Sequence, residues 1–268
     1  MTSPSKNNRA AWLQGPAARC EQVPDGGSAP WRLVLLGAPG VGKGTQADLI
    51  CQRLGACHLS TGDVFRAAAG GQGCEQSLAM KDAVSYMRRG ELVPDSTVWD
   101  MVRERKACLH CQGGFILDGF PRTVGQAESL QRLMLVEGLE LTAVVNYELP
   151  ASEIVARLGG RRTCEKCKAV YHVTERPPKV DGQCDRCEGK LFQREDDRPE
   201  SIQVRLEAYN RSTAPLIDFY RKQGLLLRVD ASGTPDQIYD RTVPQLDDRR
   251  LSGFAQRLWR AEENRRDT

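Results

Sequence analysis

Four apolar runs punctuate the chain: WRLVLLG at 31–37, FILD at 115–118, AVVNY at 143–147 and LLLRV at 225–229. WRLVLLG is continuous rather than alternating, which suits a strand buried on both faces of a sheet, and the later runs are similar. Between the runs lie longer stretches with helical spacing, from Asp95 to Lys106, Thr123 to Val136 and Glu200 to Lys222. Strands alternating with helices predict an α/β fold, a parallel sheet wrapped on both sides. Two stretches interrupt the alternation and read as insertions. Residues 61–89 look wholly helical around AAAGGQG, and residues 158–197 carry CEKC and CDRC with Pro, Gly and charge and no long helix. Residues 1–30 are rich in Ser, Pro, Gly, Ala and Asn without an apolar period, and predict a disordered arm. From about Asp247 to Thr268 the chain is charged. Leu251, Phe254, Leu258 and Trp259 keep helical spacing there, which predicts a short helix docked on the core or on a partner.

Composition narrows the class. The chain has 268 residues, 40% hydrophobic and 27% charged, as in globular proteins that bury a real core. A formal charge of +3 is too small to argue for nucleic acid or a membrane surface. No apolar run approaches the ~20 residues of a membrane span. The N-terminus lacks the apolar core of a secretory signal, so a cytoplasmic location is expected; a targeting role for the arm is the alternative. Of ten cysteines, four form the paired motif, and Cys20, Cys51, Cys57, Cys74, Cys108 and Cys111 read as buried free thiols.

GAPGVGK, residues 37–43, follows an expected strand and precedes a helical stretch. In that context G-x-x-x-x-G-K means a phosphate cradle. Glycines let successive backbone N–H groups converge on phosphate oxygens, the helix presents its positive end, and Lys43 adds a full charge. The position after the lysine, usually Ser or Thr for Mg²⁺, is Gly44, and Thr45 follows it. Magnesium must be held differently here. Asp118, at the tip of the FILD run, is the candidate, acting through water; the blander reading is a turn-capping Asp before Gly119.

The spacing C-x2-C-x16-C-x2-C at Cys164, Cys167, Cys184 and Cys187 suits a closed tetrahedral zinc site. A redox pair is the rival. Cys108 and Cys111 form a third C-x2-C without a second pair, which argues against a metal there.

GAPGVGKGT (37–45), LSTGDVFR (59–66), GELVPD (90–95), FILDGFPRT (115–123), RLGGRR (157–162) and REDDRPESIQVRL (194–206) occur in the order found in adenylate kinases. Over roughly Trp31 to Gln245 the chain resembles the long-lid form of that family, in which Gly-Lys-Gly-Thr is itself typical. The resemblance implies a phosphate-loop nucleoside monophosphate kinase fold with a five-stranded parallel core. The core would comprise 31–60, 90–157 and 198–246, with 61–89 as the nucleoside-monophosphate segment, 158–197 as the lid, and 1–30 and 247–268 as tails. It implies that Gly37, Gly40, Gly42, Lys43, Gly44, Thr45 and Arg157 bind ATP. Arg66, Gly119, Arg122, Arg194 and Arg205 would surround AMP, with Thr61, Gln126 and the backbone of Leu92 and Val93 at its adenine. Lys43, Arg122, Arg157, Arg161, Arg194 and Arg205 would be the catalytic set. The partners implied are ATP, AMP and ADP, with Mg²⁺ as cofactor and structural Zn²⁺ in the lid, in a monomer that binds neither nucleic acid nor membrane.

The residue chemistry agrees with that reading. Phosphoryl transfer needs positioning and charge neutralisation more than covalent help, and arginine forks match phosphate oxygens in pairs. The acceptor phosphate, with a second pKa near ~6, is already ionised, so no general base is needed. His58, His110 and His172 are read as structural, and Arg162 as a solvated neighbour of Arg161. A lid of ~40 residues cannot bury much core, so zinc would staple it into a rigid flap. A UMP/CMP kinase is the nearest rival, but such relatives tend to carry Ala where this chain has Thr61 and to have a short lid. A nucleic-acid-binding zinc ribbon is the other. Its basic residues, Arg161, Arg162, Lys166 and Lys168, are offset by Glu165, Glu175, Asp181, Asp185, Glu188, Glu195, Asp196 and Asp197, the wrong balance for a polyanion.

Overall fold

The computed structural model describes Trp12, residues 30–69 and residues 78–266. The core is a parallel sheet of β1 (Trp31–Leu36), β2 (Cys57–Ser60), β3 (Gly114–Asp118), β4 (Ala143–Glu148) and β8 (Leu226–Asp230), in the order β2-β3-β1-β4-β8. The four apolar runs become four of these strands. The fifth, β2, has the sequence CHLS, and its polar members conceal it from an apolar-run search. Successive residues of β1 face opposite sides: Val34 and Leu36 join one cluster with Phe115 and Leu117, while Leu33 and Leu35 join another with Ile116 and Val145. Burial on both faces is why the run is continuously apolar.

Helices cover the sheet. They are α1 (Lys43–Leu54), α2 (Thr61–Ala69), α3 (Leu78–Arg88), α4 (Asp95–Glu104), α5 (Val124–Val136), α6 (Ala151–Gly160), α7 (Pro199–Ala208), α8 (Pro215–Lys222) and α9 (Pro235–Arg266). The helical stretch expected from Glu200 to Lys222 is broken by a π-type turn at Tyr209–Thr213. Pro215 has no N–H to continue the ladder, and Thr213 Oγ1 donates instead to Arg122 O at 2.9 Å. The cysteine-bearing insertion folds as a small antiparallel sheet of β5 (Arg161–Cys164), β6 (Val170–His172) and β7 (Leu191–Phe192), with β5 central.

Most of the expected arm, residues 1–30, lies outside the described residues. Trp12 does not behave as part of a disordered arm: it is 1% exposed in the larger core cluster. Arg105, also buried, donates from Nε to Trp12 O at 2.8 Å and from Nη1 to Met101 O at 3.2 Å. A single Trp in a stretch with no apolar period gives no sign of its burial in the pattern. The expected short C-terminal helix is the end of α9, a helix of 32 residues with Pro244 inside it. Its middle is tied to the core by Arg53 to Asp247 at 2.9 Å and by Arg250 stacked 5.4 Å from the Trp31 ring.

Cys51, Cys108 and Cys111 are buried and outside any disulfide, as expected, and Cys20 and Cys74 lie outside the described residues. Cys57 corrects the expectation, because it is disulfide-bonded. Spacing along a chain does not say which sulfurs a fold brings together.

Trp12→Ala should lower stability by about 3 kcal/mol, the cost typical of deleting a large buried aromatic side chain. Urea unfolding checks this; a midpoint equal to wild type would mean that the arm contributes nothing to the core.

Candidate active site

The carboxyl ends of the parallel strands deliver the loops that build the site. After β1 the chain turns through Gly37, Gly40 and Gly42, all at positive φ. At two of them the space is closed as well. A Cβ on Gly37 would lie 2.5 Å from Tyr147 O, and one on Gly40 would lie 2.8 Å from Leu158 Cγ. The loop then enters α1 at Lys43, so the helix's free N–H groups face the same space. Lys43 folds back over the loop, donating to Gly37 O at 2.7 Å and Ala38 O at 2.9 Å. Burial pulls its pKa down to about 8, with Arg122, Arg205 and Arg161 adding repulsion and Asp118 opposing. A cation so poorly compensated is primed for anionic phosphate.

Asp118 ends β3 beside this loop. Burial alone would raise its carboxyl, but the hydrogen bond and charge of His58, and then Lys43, hold it below the ordinary aspartate value. The His58 ring is fully buried between two carboxylates, with Nδ1 3.1 Å from Asp48 and Nε2 3.3 Å from Asp118. His58 thus bridges Asp48 and Asp118, where it can position the Asp118 carboxylate. His110 lies away from the site, 2.9 Å from Glu137. His172 lines the cavity, with Nδ1 accepting from the Thr174 and Glu175 N–H groups.

A cavity of about 1030 Å³ opens between the phosphate loop and the cysteine-bearing insertion. Its lining brings together Gly37, Gly40, Gly42, Lys43, Gly44 and Thr45 with Arg66, Leu92, Asp118, Gly119, Arg122, Arg157, Arg161, Arg194 and Arg205. Arg162 is not in that lining; its Nη1 donates to the Gly159 and Arg161 carbonyls. Thr61, Val93 and Gln126 fall in a second cleft of about 20 Å³ that shares Leu92, Gly119 and Arg122 with the first. Every site residue singled out from the sequence, the cysteines apart, therefore lies on one of two adjoining cavities.

The arginines are oriented by partners that the sequence reading counted only as acidic charge. Asp197 is fully buried and accepts from Arg161 through both carboxylate oxygens, with Nε at 2.7 Å, and from Arg205 Nη1 at 3.1 Å. Arg205 also meets the Asp196 carboxylate at 3.1 Å. Arg66 pairs with Asp63 at 2.6 Å, and although burial acts the other way, that carboxylate and Asp196 leave its pKa raised. Arg194 Nε donates to the Thr163 hydroxyl at 2.9 Å, and burial with Arg66 and Arg161 nearby depresses it well below the usual range. Burial and then Arg205 press Arg122 down to about 10. Arg157 is held by the Ala231 and Gly233 carbonyls at 3.0 and 3.1 Å. The signal for the missed carboxylates was present: Asp196 and Asp197 stand inside REDDRP, between two of the predicted arginines.

The four paired cysteines converge, their sulfurs all within 4.8 Å of one another. Cys164 to Cys187 and Cys167 to Cys184 are each 3.5 Å apart. Zinc with Zn–S near ~2.3 Å places sulfurs ~3.8 Å apart in a tetrahedron, so the set fits. Each pair sits on the same turn. Lys168 N donates to Cys164 O and Glu188 N to Cys184 O, with Lys168 and Glu188 both in the left-handed region. Around the sulfurs the insertion buries only Ala169, Tyr171 and Leu191, too little apolar surface to hold β5, β6 and β7 together unaided.

None of the described helices is long and apolar enough to cross a membrane. Residues 35–225 match the family described as adenylate kinase. The chain is similar to the adenylate kinase of Carboxydothermus hydrogenoformans, 48% identical over 208 residues that cover 78% of this chain and 95% of that protein. It is also similar to that of Thermodesulfovibrio yellowstonii, at 47% over 209 residues, 78% and 95%. The adenylate kinase of Streptomyces griseus is 46% identical over 216 residues, 80% and 97%. With the phosphate loop, the arginine cluster and the cysteine-bearing insertion in their places, the chain belongs to the adenylate kinase family.

Proposed function

We propose that this chain transfers the terminal phosphoryl group of ATP to AMP, reversibly and with Mg²⁺, giving two ADP by direct displacement. The observation that supports this most is the convergence of Lys43, Arg122, Arg161, Arg194 and Arg205 on one cavity. The phosphate loop bounds that cavity at one side, and Arg66 with the Thr61–Gln126 cleft bounds it at another. In the displacement, an AMP phosphate oxygen attacks the terminal phosphorus of ATP while the bond to the ADP oxygen breaks. Both oxygens carry negative charge, and so does the group in flight. Guanidinium forks held by Asp196 and Asp197 meet that charge without having to reorganise. Lys43 exchanges its two loop carbonyls for phosphate oxygens. No proton has to leave the acceptor, so none of the histidines acts as a base.

Mg²⁺, when bound with ATP, neutralises phosphate charge; Asp118, kept ionised by His58 and Lys43, would hold it through water. Thr61 donates to Gly119 O at 3.0 Å, placing the hydroxyl at the small cleft that would take adenine. A cleft of about 20 Å³ is too small for a purine, so lining residues such as Phe65 and Met87 would shift to admit one. Residues 158–197 would form the lid. Cys164, Cys167, Cys184 and Cys187 would hold Zn²⁺, which would supply the rigidity that the small insertion core lacks and would let the lid close as one body.

Purified protein should form ADP from MgATP only when AMP is added, in preference to UMP or CMP. A coupled assay with each monophosphate in turn decides this. Clear preference for UMP or CMP would overturn the substrate while leaving the fold.

Arg122→Ala and Arg161→Ala should each lower turnover by about 10²–10³, the usual cost of a lost transition-state donor, with circular dichroism unchanged. Arg162→Ala should cost less. Equal losses at 161 and 162 would show that the pair does not divide this way.

The protein should purify with close to one zinc per chain by metal analysis. Cys184→Ser should lower metal content and the melting temperature of the lid, and should reduce activity more near that transition than at low temperature. Activity lost at every temperature would mean a catalytic metal instead; no zinc in the wild type, with activity answering to mild oxidant, would mean a redox pair.

A further inference from the structure

Gln126 lies at the small cleft with its side-chain amide already committed at both ends. Its Oε1 accepts from the Arg122 backbone N–H at 2.7 Å, and its Nε2 donates to Asp95 Oδ1 at 2.6 Å. A backbone N–H only donates and a carboxylate only accepts, so both contacts select the same amide orientation. Turning the amide over would set N–H against N–H at Arg122 and oxygen against carboxylate at Asp95. The residue is 4% exposed, so the mismatch at the Arg122 N–H would not be relieved by water.

The Asp95 carboxylate is itself held in place. It opens α4, and its other oxygen accepts from Thr123 Oγ1 at 2.8 Å. Thr123 in turn caps α5, where its hydroxyl accepts from Gln126 N at 3.1 Å. The two helix starts and the Gln126 amide thus form one small ring of hydrogen bonds beside the cleft.

After these contacts Gln126 retains one N–H and one oxygen lone pair, side by side in a fixed order. Purines present a matching pair of groups, in one of two orders. A 6-aminopurine offers an acceptor at ring N1 beside a donor at the amino group. A 6-oxopurine offers a ring N–H donor beside a carbonyl acceptor. An amide locked in one order complements one of these and opposes the other.

We propose that Asp95 is a specificity-determining positioning residue: through Gln126 Nε2 it locks the amide order that accepts a 6-aminopurine monophosphate and rejects a 6-oxopurine one. Asp95 need not touch the nucleotide. This rests on the reading of the small cleft as the base site of the acceptor nucleotide.

Asp95→Asn tests it, because asparagine keeps the shape and can still open α4 but can donate as well as accept. The Kd values of AMP and IMP are measured by calorimetry, and kcat and KM for each by coupled assay, in wild type, Asp95→Asn, Gln126→Ala and the double variant. Losing the fixed order should weaken AMP binding about fivefold to tenfold, the scale of one net hydrogen bond. The preference for AMP over IMP should fall by at least that factor, while KM for ATP changes less. In the Gln126→Ala background Asp95→Asn should change the AMP-to-IMP ratio no further.

If Asp95→Asn lowers the melting temperature but keeps the ratio, Asp95 only staples α4 to α5 and the proposal falls. Effects at Asp95 that add to those at Gln126 also overturn it. Should the Asn variant not fold, Asp95→Ser, whose hydroxyl is too short to reach Gln126, is judged by the same ratios. A wild type that neither binds nor phosphorylates AMP would instead take down the activity reading, and this inference with it.

Discussion

Positive charge confined to one cavity is the constraint that organises this molecule. Lys43, Arg122, Arg161, Arg194 and Arg205 repel one another across buried space, and burial first, then this repulsion, lowers the pKa values of Lys43, Arg122, Arg194 and Arg205. A fold can tolerate such a cluster only if carboxylates are interleaved with it and the remainder is met by ligand. Asp197, fully buried between Arg161 and Arg205, does most of the interleaving, with Asp196, Asp63 and Asp118 at the edges. Compensation is incomplete at Lys43 and Arg194, which leaves positive charge in the cavity for an anionic ligand to meet.

The elements follow from that requirement. A parallel sheet puts its strand ends on one side, so Gly37, Thr61 and Asp118, from neighbouring strands, come within one site. Arg161 arrives from β5 of the cysteine-bearing insertion and Arg205 from α7, and Asp197 lies on the short helical turn just before α7. One buried carboxylate therefore couples the insertion to the core. The cysteine-bearing insertion has so small an apolar interior that its shape would depend on the four sulfurs being tied together. The Arg161–Asp197 pair draws it inward, while metal coordination would give it rigidity.

The two ends of the chain outside the region of family similarity take part in this core. Trp12 packs into the cluster on one face, through Arg105, and Arg250 stacks on Trp31 at the start of β1. Neither contact reaches the cavity. Their effect is on the frame that positions the phosphate loop.

From the residues alone one can read the alternation of strand and helix, the phosphate loop and the paired cysteines. Each is a local signal: continuous apolar runs for doubly buried strands, glycines where φ must be positive, and thiol pairs at metal-ligand spacing. The order of the motifs added the family and, with it, the arginines. What local pattern does not encode is which distant groups become neighbours. The burial of Trp12, the disulfide at Cys57, the clamp of Asp197 on Arg161 and Arg205, and the ring joining Asp95, Thr123 and Gln126 all depend on long-range contacts. Their cost or benefit exists only once water has been excluded. A carboxylate on a solvated surface and one buried between two guanidinium groups are the same letter in the sequence, and tertiary structure alone decides which it becomes.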